Sequence, residues 1–273
     1  MLQIQSQTLN VPALSLRKVL IAGAAAVTLG IGMVTSASAA HDSTGCTFDE
    51  TTPGTWSLTA NCTTTATIDV PSNTILEGNG KTISASPSVV SRVLGITNSE
   101  NVTVNDLTIE GTNGVRLNGI DVYVSTDVTL NDVTSVNNDK YGLVVNGSEV
   151  TVHDLSTSNN SWGGVNVDLG SGVTGPALLT VTGKSEHDEL NGKDLYMDDT
   201  TQAVDIVDVN GQYLVTQPAG GLPNDEVYTL KSEVKSKDSC KKNGYMSLMT
   251  AEGVGFKNQG QCVSSVEANS KRN

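Results

Sequence analysis

An all-β chain, wound as a right-handed parallel β-helix with disulfide-stapled ends, is the fold this sequence predicts. Three observations carry it: a repeat of two short strands every 22 to 24 residues, apolar–polar alternation inside each strand, and two cysteines near each end of the part that follows the leader.

The repeat is plain when three segments are set beneath one another: Asn101-Val102-Thr103-Val104-Asn105-Asp106-Leu107-Thr108, Asp127 to Thr134, and Glu149 to Ser156. Seven of the eight columns keep their chemical type. A second series starts at aligned glycines, Gly95-Ile96, Gly119-Ile120, Gly142-Leu143 and Gly164-Val165, at intervals of 24, 23 and 22 residues. Each strand is rich in β-branched residues and bounded by Gly, Asn, Asp or Ser, which predicts one buried and one wet face. No stretch shows a helical period, and the leucine columns of a leucine-rich repeat are missing. Stacked coils about 4.8 Å apart remain, with Ile, Leu and Val inside. Asn105, Asn131, Asp106, Asp132 and Asp154 then fall at turns, where they tolerate left-handed backbone and bond to the next coil's backbone.

Taken from the start, residues 1–40 read as a secretory signal: Arg17 and Lys18, an apolar run from Val19 to Val34, then Ser36-Ala37-Ser38-Ala39-Ala40 as a cleavage-like site. The competing reading, an uncleaved anchor, has only a short, Ala- and Gly-rich run to span with. Residues 41–66 are read as an N-terminal cap, 67–217 as the β-helix, 218–237 as a linker on the strength of Pro218 to Pro223, and 238–273 as a disulfide-closed motif. In an oxidising compartment Cys46, Cys62, Cys240 and Cys262 are expected in disulfides. Of three connectivities, Cys46–Cys62 and Cys240–Cys262 close the shortest loops, each contributing about 3 kcal/mol through loop closure.

The entry stretch Thr67-Ile68-Asp69-Val70-Pro71 through Leu76-Glu77-Gly78-Asn79-Gly80-Lys81-Thr82-Ile83 resembles the first coil of the pectate-lyase-like, right-handed parallel β-helix superfamily. With the repeats, the resemblance spans about Ile68 to Leu214. It implies the fold; the superfamily holds lyases, hydrolases, esterases, epimerases, tailspikes and non-enzymatic surface proteins, so no single activity follows. Cys240-Lys241-Lys242-Asn243-Gly244-Tyr245 with Phe256-Lys257-Asn258-Gln259-Gly260-Gln261-Cys262-Val263 resembles a C-terminal motif of secreted bacterial proteins. That motif usually has Gly-Gly-Trp where this chain has Asn243-Gly244-Tyr245. The resemblance implies export and no known reaction.

Charge narrows the partners. The leader holds two of 16 basic residues and none of 29 acidic ones, so the remainder carries a formal charge of −15. That disfavours nucleic acid and anionic lipid. An acidic surface collects Ca²⁺ or keeps a protein soluble, and since no Ca²⁺ motif is present, no cofactor is expected. The expected location is secreted or at the cell surface, with no membrane span after the leader.

Catalytic motifs are missing. A polygalacturonase-like site needs Asn-Thr-Asp, a paired Asp, Gly-His-Gly and Arg-Ile-Lys on successive coils; only Asp198-Asp199 is present, and it reads as a solvated turn. Arg92 and Arg116 sit in no lyase motif. Gln202-Ala203-Val204 matches a pectin methylesterase fragment over three residues only. His41, His153 and His187 form no triad or metal set, His187 lying in an acidic turn. A binding face is the remaining candidate. Asp121, Val144 and Asn166 should point outward from strands whose Ile120, Leu143 and Val165 point in, and Tyr141 and Trp162 precede the aligned glycines. Aromatic rings beside Asp and Asn hold extended glycans. The alternative is that both rings only cover the turns. Two functions stand: a non-catalytic solenoid that binds or displays towards a glycan or surface protein, or a divergent polysaccharide lyase or hydrolase.

Overall fold

The computed structural model describes residues 44–112, 114–189, 191–198, 203–218 and 225–270. The leader, Asp199, Gln202, much of the proline-flanked stretch at 219–224 and the last three residues lie outside them. In chain order, β1 (Phe48–Asp49), β2 (Thr55–Leu58), β3 (Cys62–Thr64) and β4 (Ile68–Asp69) open the fold. Its regular middle is β5 (Thr74–Ala85), β6 (Ser91–Thr97), β7 (Glu100–Glu110), β8 (Leu117–Tyr123), β9 (Thr126–Val136), β10 (Tyr141–Asn146), β11 (Glu149–Ser158) and β12 (Gly163–Asp168). Then come β13 (Ala177–Thr182), β14 (Glu186–Asp188), β15 (Leu195–Met197), β16 (Val204–Asp208), β17 (Tyr213–Thr216) and β18 (Glu226–Leu230).

These strands stack as a parallel β-solenoid. A 10-stranded sheet runs β1-β2-β5-β7-β9-β11-β13-β16, with β3 beside β5 and β14 beside β11; an 8-stranded sheet runs β17-β18-β15-β12-β10-β8-β6-β4. The sequence columns become ladders: Val102 pairs Val128 and Val128 pairs Val150, while Ile120 pairs Leu143 and Leu143 pairs Val165. Those six side chains are at most 2% exposed, members of one core that runs from Cys46 to Tyr228.

Turning the chain three ways per coil takes residues that accept left-handed backbone, and the sequence supplies them in columns. Asp106, Asp132 and Asp154, in the middle of β7, β9 and β11, have φ of 47° to 57°. Asn73, Asn101 and Asp127 form a second such column, with φ of 51° to 59°. Short polar side chains lower the cost of that region. The Asn105 and Asn131 amides differ from the expectation: Asn131 Nδ2 donates to Asn105 Oδ1 at 2.8 Å and Asn105 Nδ2 to Glu77 Oε1 at 2.9 Å, a side-chain ladder instead of bonds to backbone. A coil rise brings like side chains within hydrogen-bond reach of each other, so the amides satisfy one another.

The aligned glycines have a packing cause. A Cβ on Gly119 would lie 2.0 Å from Ser135 Oγ, and one on Gly142 would lie 2.8 Å from Asn160 Nδ2. Those polar groups belong to a buried ladder: the Asn160 amide oxygen accepts from the Asn138 backbone N–H at 3.1 Å, and the Asn160 N–H donates to Glu189 Oε2 at 2.7 Å.

Both ends depart from the simple repeat. Residues read as an N-terminal cap already form part of the stack, since Thr55 pairs Ile75 and Cys62 pairs Ile83 in parallel register, and β1 folds back antiparallel on β2. The stretch read as a linker holds β18, which pairs antiparallel with both β15 and β17. Its Glu-Val-Tyr-Thr-Leu lacks a clean apolar–polar alternation and follows prolines and glycines, yet Tyr228 buries to 5% exposure. Antiparallel returns cover strand edges that an open solenoid would leave unpaired.

The last segment has its own small core of Val234, Cys240, Leu248, Phe256 and Cys262. It joins β19 (Ser232–Glu233) to β20 (Leu248–Met249) and ends in a helix, α1 (Gln259–Ser270). That helix corrects the expectation of none: Cys262 is its single buried residue, so it has no apolar stripe to read from sequence. Cys46–Cys62 and Cys240–Cys262 are both disulfide-bonded, with Cα atoms 5.3 and 5.8 Å apart.

Candidate functional site: the outer face of the eight-stranded sheet

Parallel register brings the predicted binding residues onto one face. Asp121 on β8 pairs Val144 on β10, which pairs Asn166 on β12, which pairs Tyr196 on β15. Their neighbours Ile120, Leu143 and Val165 fill the core, so alternation sends this column outward. Outward does not mean wet here. Val144 is 4% and Asn166 6% exposed, and Asp121 is half-buried. The loop after β12 packs on the ends of these strands: a Cβ on Gly170 would meet Tyr123 and Asn146, and one on Gly147 would meet Val173.

Tyr141 and Trp162 come together on adjacent coils. Their ring centroids are 5.8 Å apart at 84°, an edge-to-face pair, and Trp162 remains 41% exposed. Cations sit over Trp162 and over Tyr196, one coil further on. Arg116 Cζ lies 5.2 Å and Lys140 Nζ 5.4 Å from the Trp162 centroid, and Lys193 Nζ lies 4.8 Å from the centroid of Tyr196.

Two carboxylates flank the aromatic row. Asn118 Nδ2 donates to Asp121 Oδ2 at 3.3 Å, and Asn118 Oδ1 accepts the Tyr141 N–H at 3.3 Å. Burial raises the Asp121 carboxyl above its ordinary pKa, against the pull of Arg92, the Asn118 bond and Lys140. Arg92 is shared with Asp69 at 3.2 Å. Asp168, at the end of β12, accepts from Asn166 Nδ2 and from the Gly170 N–H. The Asn146 amide turns its NH₂ to the same carboxylate at 2.8 Å. Burial raises Asp168 as well; its hydrogen bonds oppose the rise and Asp121 adds to it.

The two tyrosines stay neutral. Burial, then the nearby Asp168 and Asp198 charges, push the Tyr141 phenol up to about 12. Tyr196, whose hydroxyl donates to Asp225 at 3.1 Å, is also pushed up to about 12, by burial first and then by Asp225. Asp198, read as a solvated turn, is half-buried with its N–H bonded to Val167 and its charge felt by both phenols.

Asp168, Tyr196, Lys140 and Lys193 belong to this face and were not singled out from the sequence. The aligned glycines contain the signal: Tyr123, Asn146 and Asp168 each stand four residues after one. His187 is a second correction. Its Nδ1 meets Thr157 Oγ1 at 2.7 Å and its Nε2 meets Tyr213 Oη at 2.8 Å, and burial lowers its pKa to about 3. The ring is a structural bridge between coils. Among the described residues no group of three or more His, Cys, Asp or Glu side chains is placed to hold a metal ion, and no helix is long and apolar enough to cross a membrane.

No protein-family model matches the chain, and no curated protein matches it significantly. Among solved structures it is similar to a glycosyl hydrolase candidate from Parabacteroides merdae ATCC 43184, at 14% identity and a TM-score of 0.40, over 56% of this chain and 79% of that one. It is also similar to the enzymatically active domain of tailspike protein 2 from bacteriophage CBA120, at 9% identity and a TM-score of 0.32, over 52% of this chain and 26% of that one.

Proposed function

We propose that the chain is exported and works as a non-catalytic solenoid that holds an extracellular glycan on the outer face of β8, β10, β12 and β15. The observation that carries this is the Tyr141–Trp162 pair, a half-exposed indole held edge-to-face on a tyrosine and set beside amide and carboxylate groups. A ring that only covered turns gains nothing from exposure, whereas a sugar face needs it. Asp121 and Asp168 are braced by neighbours, so their remaining lone pairs are positioned before a ligand arrives, while the buried Asn166 serves to hold Asp168.

A hydrolytic second reading has one specific support, two carboxyl groups, Asp121 and Asp168, on the same face, both raised by burial, since glycoside hydrolysis uses a carboxyl pair. One set of preparations tests both readings. Trp162→Ala with Tyr141→Ala is expected to lose retention on the glycan that wild type binds, with a melting temperature within a few degrees of wild type. Lost stability with intact retention on the folded fraction would sink the binding face. Incubated wild type is expected to release no new reducing ends or unsaturated products; release that stops in Asp168→Asn would make the site catalytic.

A further inference from the structure

The two sheets of the solenoid end at different heights. In the ten-stranded sheet one strand, β16, follows β13, whereas in the eight-stranded sheet β18 and then β17 follow β15. Among the described residues β16 pairs on one side only, and no strand faces β17 across the interior. The C-terminal end of the solenoid is therefore a step, one strand high.

The core column that reaches this step loses its cover there. Leu143, Val165, Leu195 and Tyr228 pair in succession and are at most 5% exposed, but Val215, paired with Tyr228, is 50% exposed. Directly paired residues share a face of a sheet, so Val215 points to the interior side with nothing opposite to bury it.

The floor of the step is a free strand edge. Ala177 N–H bonds Ala203 O and Val209 N–H bonds Val181 O, which sets the phase of the ladder between β13 and β16. Asp205, Val207 and Val209 thus turn their N–H groups to β13, and Ile206 and Asp208 turn theirs the other way, to the step. The strand is Val-Asp-Ile-Val-Asp, without lysine, proline or bulge. An edge of this kind is a template for one more strand. A second copy does not fit it edge to edge, because the projecting β18 and β17 of both copies would need the same height in the other sheet.

Charge narrows what does fit. Asp205 is exposed on the outer side of β16, and Asp208 ends the strand. Burial first, then the Glu226 bond and the charges of Glu226, Asp205 and Asp208, push the Tyr228 phenol upward, so three carboxylates surround this end of the core. Lys231, at the neighbouring corner, spends its ammonium on Gly211 O at 2.5 Å.

We infer that the step binds one extended, basic segment of a partner protein by strand addition. Backbone groups of the segment pair with Ile206 and Asp208, its apolar side chains turn in over Val215, and alternate Lys or Arg side chains turn out beside Asp205. Recognition here is separate from the aromatic face of β8, β10, β12 and β15 and does not depend on it.

The probe is the peptide Lys-Val-Lys-Val-Lys-Val-Lys, titrated into the protein by calorimetry and followed by amide hydrogen exchange. It is expected to bind, and the Ile206 and Asp208 amides, fast in the free protein, should exchange at least about tenfold more slowly in the complex. The same peptide with every amide N-methylated, and Glu-Val-Glu-Val-Glu-Val-Glu, should each bind at least about tenfold more weakly. Asp205→Lys, a change at an exposed position, should weaken the basic peptide by about tenfold with an unchanged melting temperature. Should that variant fail to fold, the two control peptides on wild type decide. Equal binding of the N-methylated peptide overturns strand addition in favour of plain charge attraction. Equal binding of the acidic peptide, or an unchanged affinity in folded Asp205→Lys, overturns the basic partner. Failure of the basic peptide to bind overturns the inference, and so does slow exchange of both amides in the free protein, which would mean that the edge is already filled by this chain or by a second copy.

Discussion

Single positions in this solenoid are selected by backbone conformation as much as by side-chain chemistry. At the turn that leaves the eight-stranded sheet, successive coils place Asn98, Val124 and Gly147 in the left-handed region, with φ of 50°, 50° and 52°. Asn and Gly belong there. A β-branched valine does not, because its Cβ crowds the following carbonyl at a cost of about 1 to 2 kcal/mol. Val124 is 39% exposed, so little burial compensates. Val124→Asn is therefore expected to stabilise the protein by about 1 kcal/mol. The check is the urea midpoint at unchanged slope; a lower midpoint would mean that the valine side chain packs more than its exposure suggests.

At the scale of the strand, alternation decides which substitutions the fold survives. Val128 on β9 is 1% exposed, between Val102 and Val150 in the core ladder, while Thr129 beside it faces outward and is half-buried. Val128→Asp puts an unpaired charge into a dry interior, a cost of several kcal/mol that a domain of ordinary stability cannot absorb. Thr129→Asp keeps its charge in water. Circular dichroism and size-exclusion of the two variants should show the first unfolded or aggregated and the second native, with a melting temperature lowered by a few degrees at most. The same logic explains β18. A five-residue strand with one deeply buried anchor, Tyr228, pairs antiparallel with both β15 and β17.

For the molecule as a whole, the two hydrophobic cores have different supports. The solenoid core is continuous and cumulative, each coil buried by the next. The C-terminal core has three buried residues, Val234, Leu248 and Phe256, around one disulfide, too few to hold a module by packing alone. Closing a loop with a sequence separation of 22 contributes about 3 kcal/mol. Replacing Cys240 and Cys262 by Ser should thus open residues 232–270 to limited proteolysis while residues 44–218 stay protected. Simultaneous loss of protection in both would show that the module is needed to close the solenoid end.

The period, the register and the core-facing residues of the regular coils were legible in the sequence because a solenoid converts distance along the chain into height: residues one period apart become neighbours, so aligned columns are contacts. Cysteine pairing was legible for a related reason, each pair being short-range. Tyr141 and Trp162, placed before aligned glycines, could be set on adjacent coils by the same counting. Contacts that cross columns were not legible. Which cation lies over which ring, how deeply Asn166 is buried, and how Asp168 comes to share a face with Asp121 depend on side-chain reach across coils. The helix at Gln259–Ser270 escaped because a disulfide and its neighbours hold it in place of an apolar stripe. Periodicity in the sequence determined the stack and its interior. The tertiary structure alone decided the chemistry of the outer face, since that chemistry is made by side chains leaning across coils whose directions no period encodes.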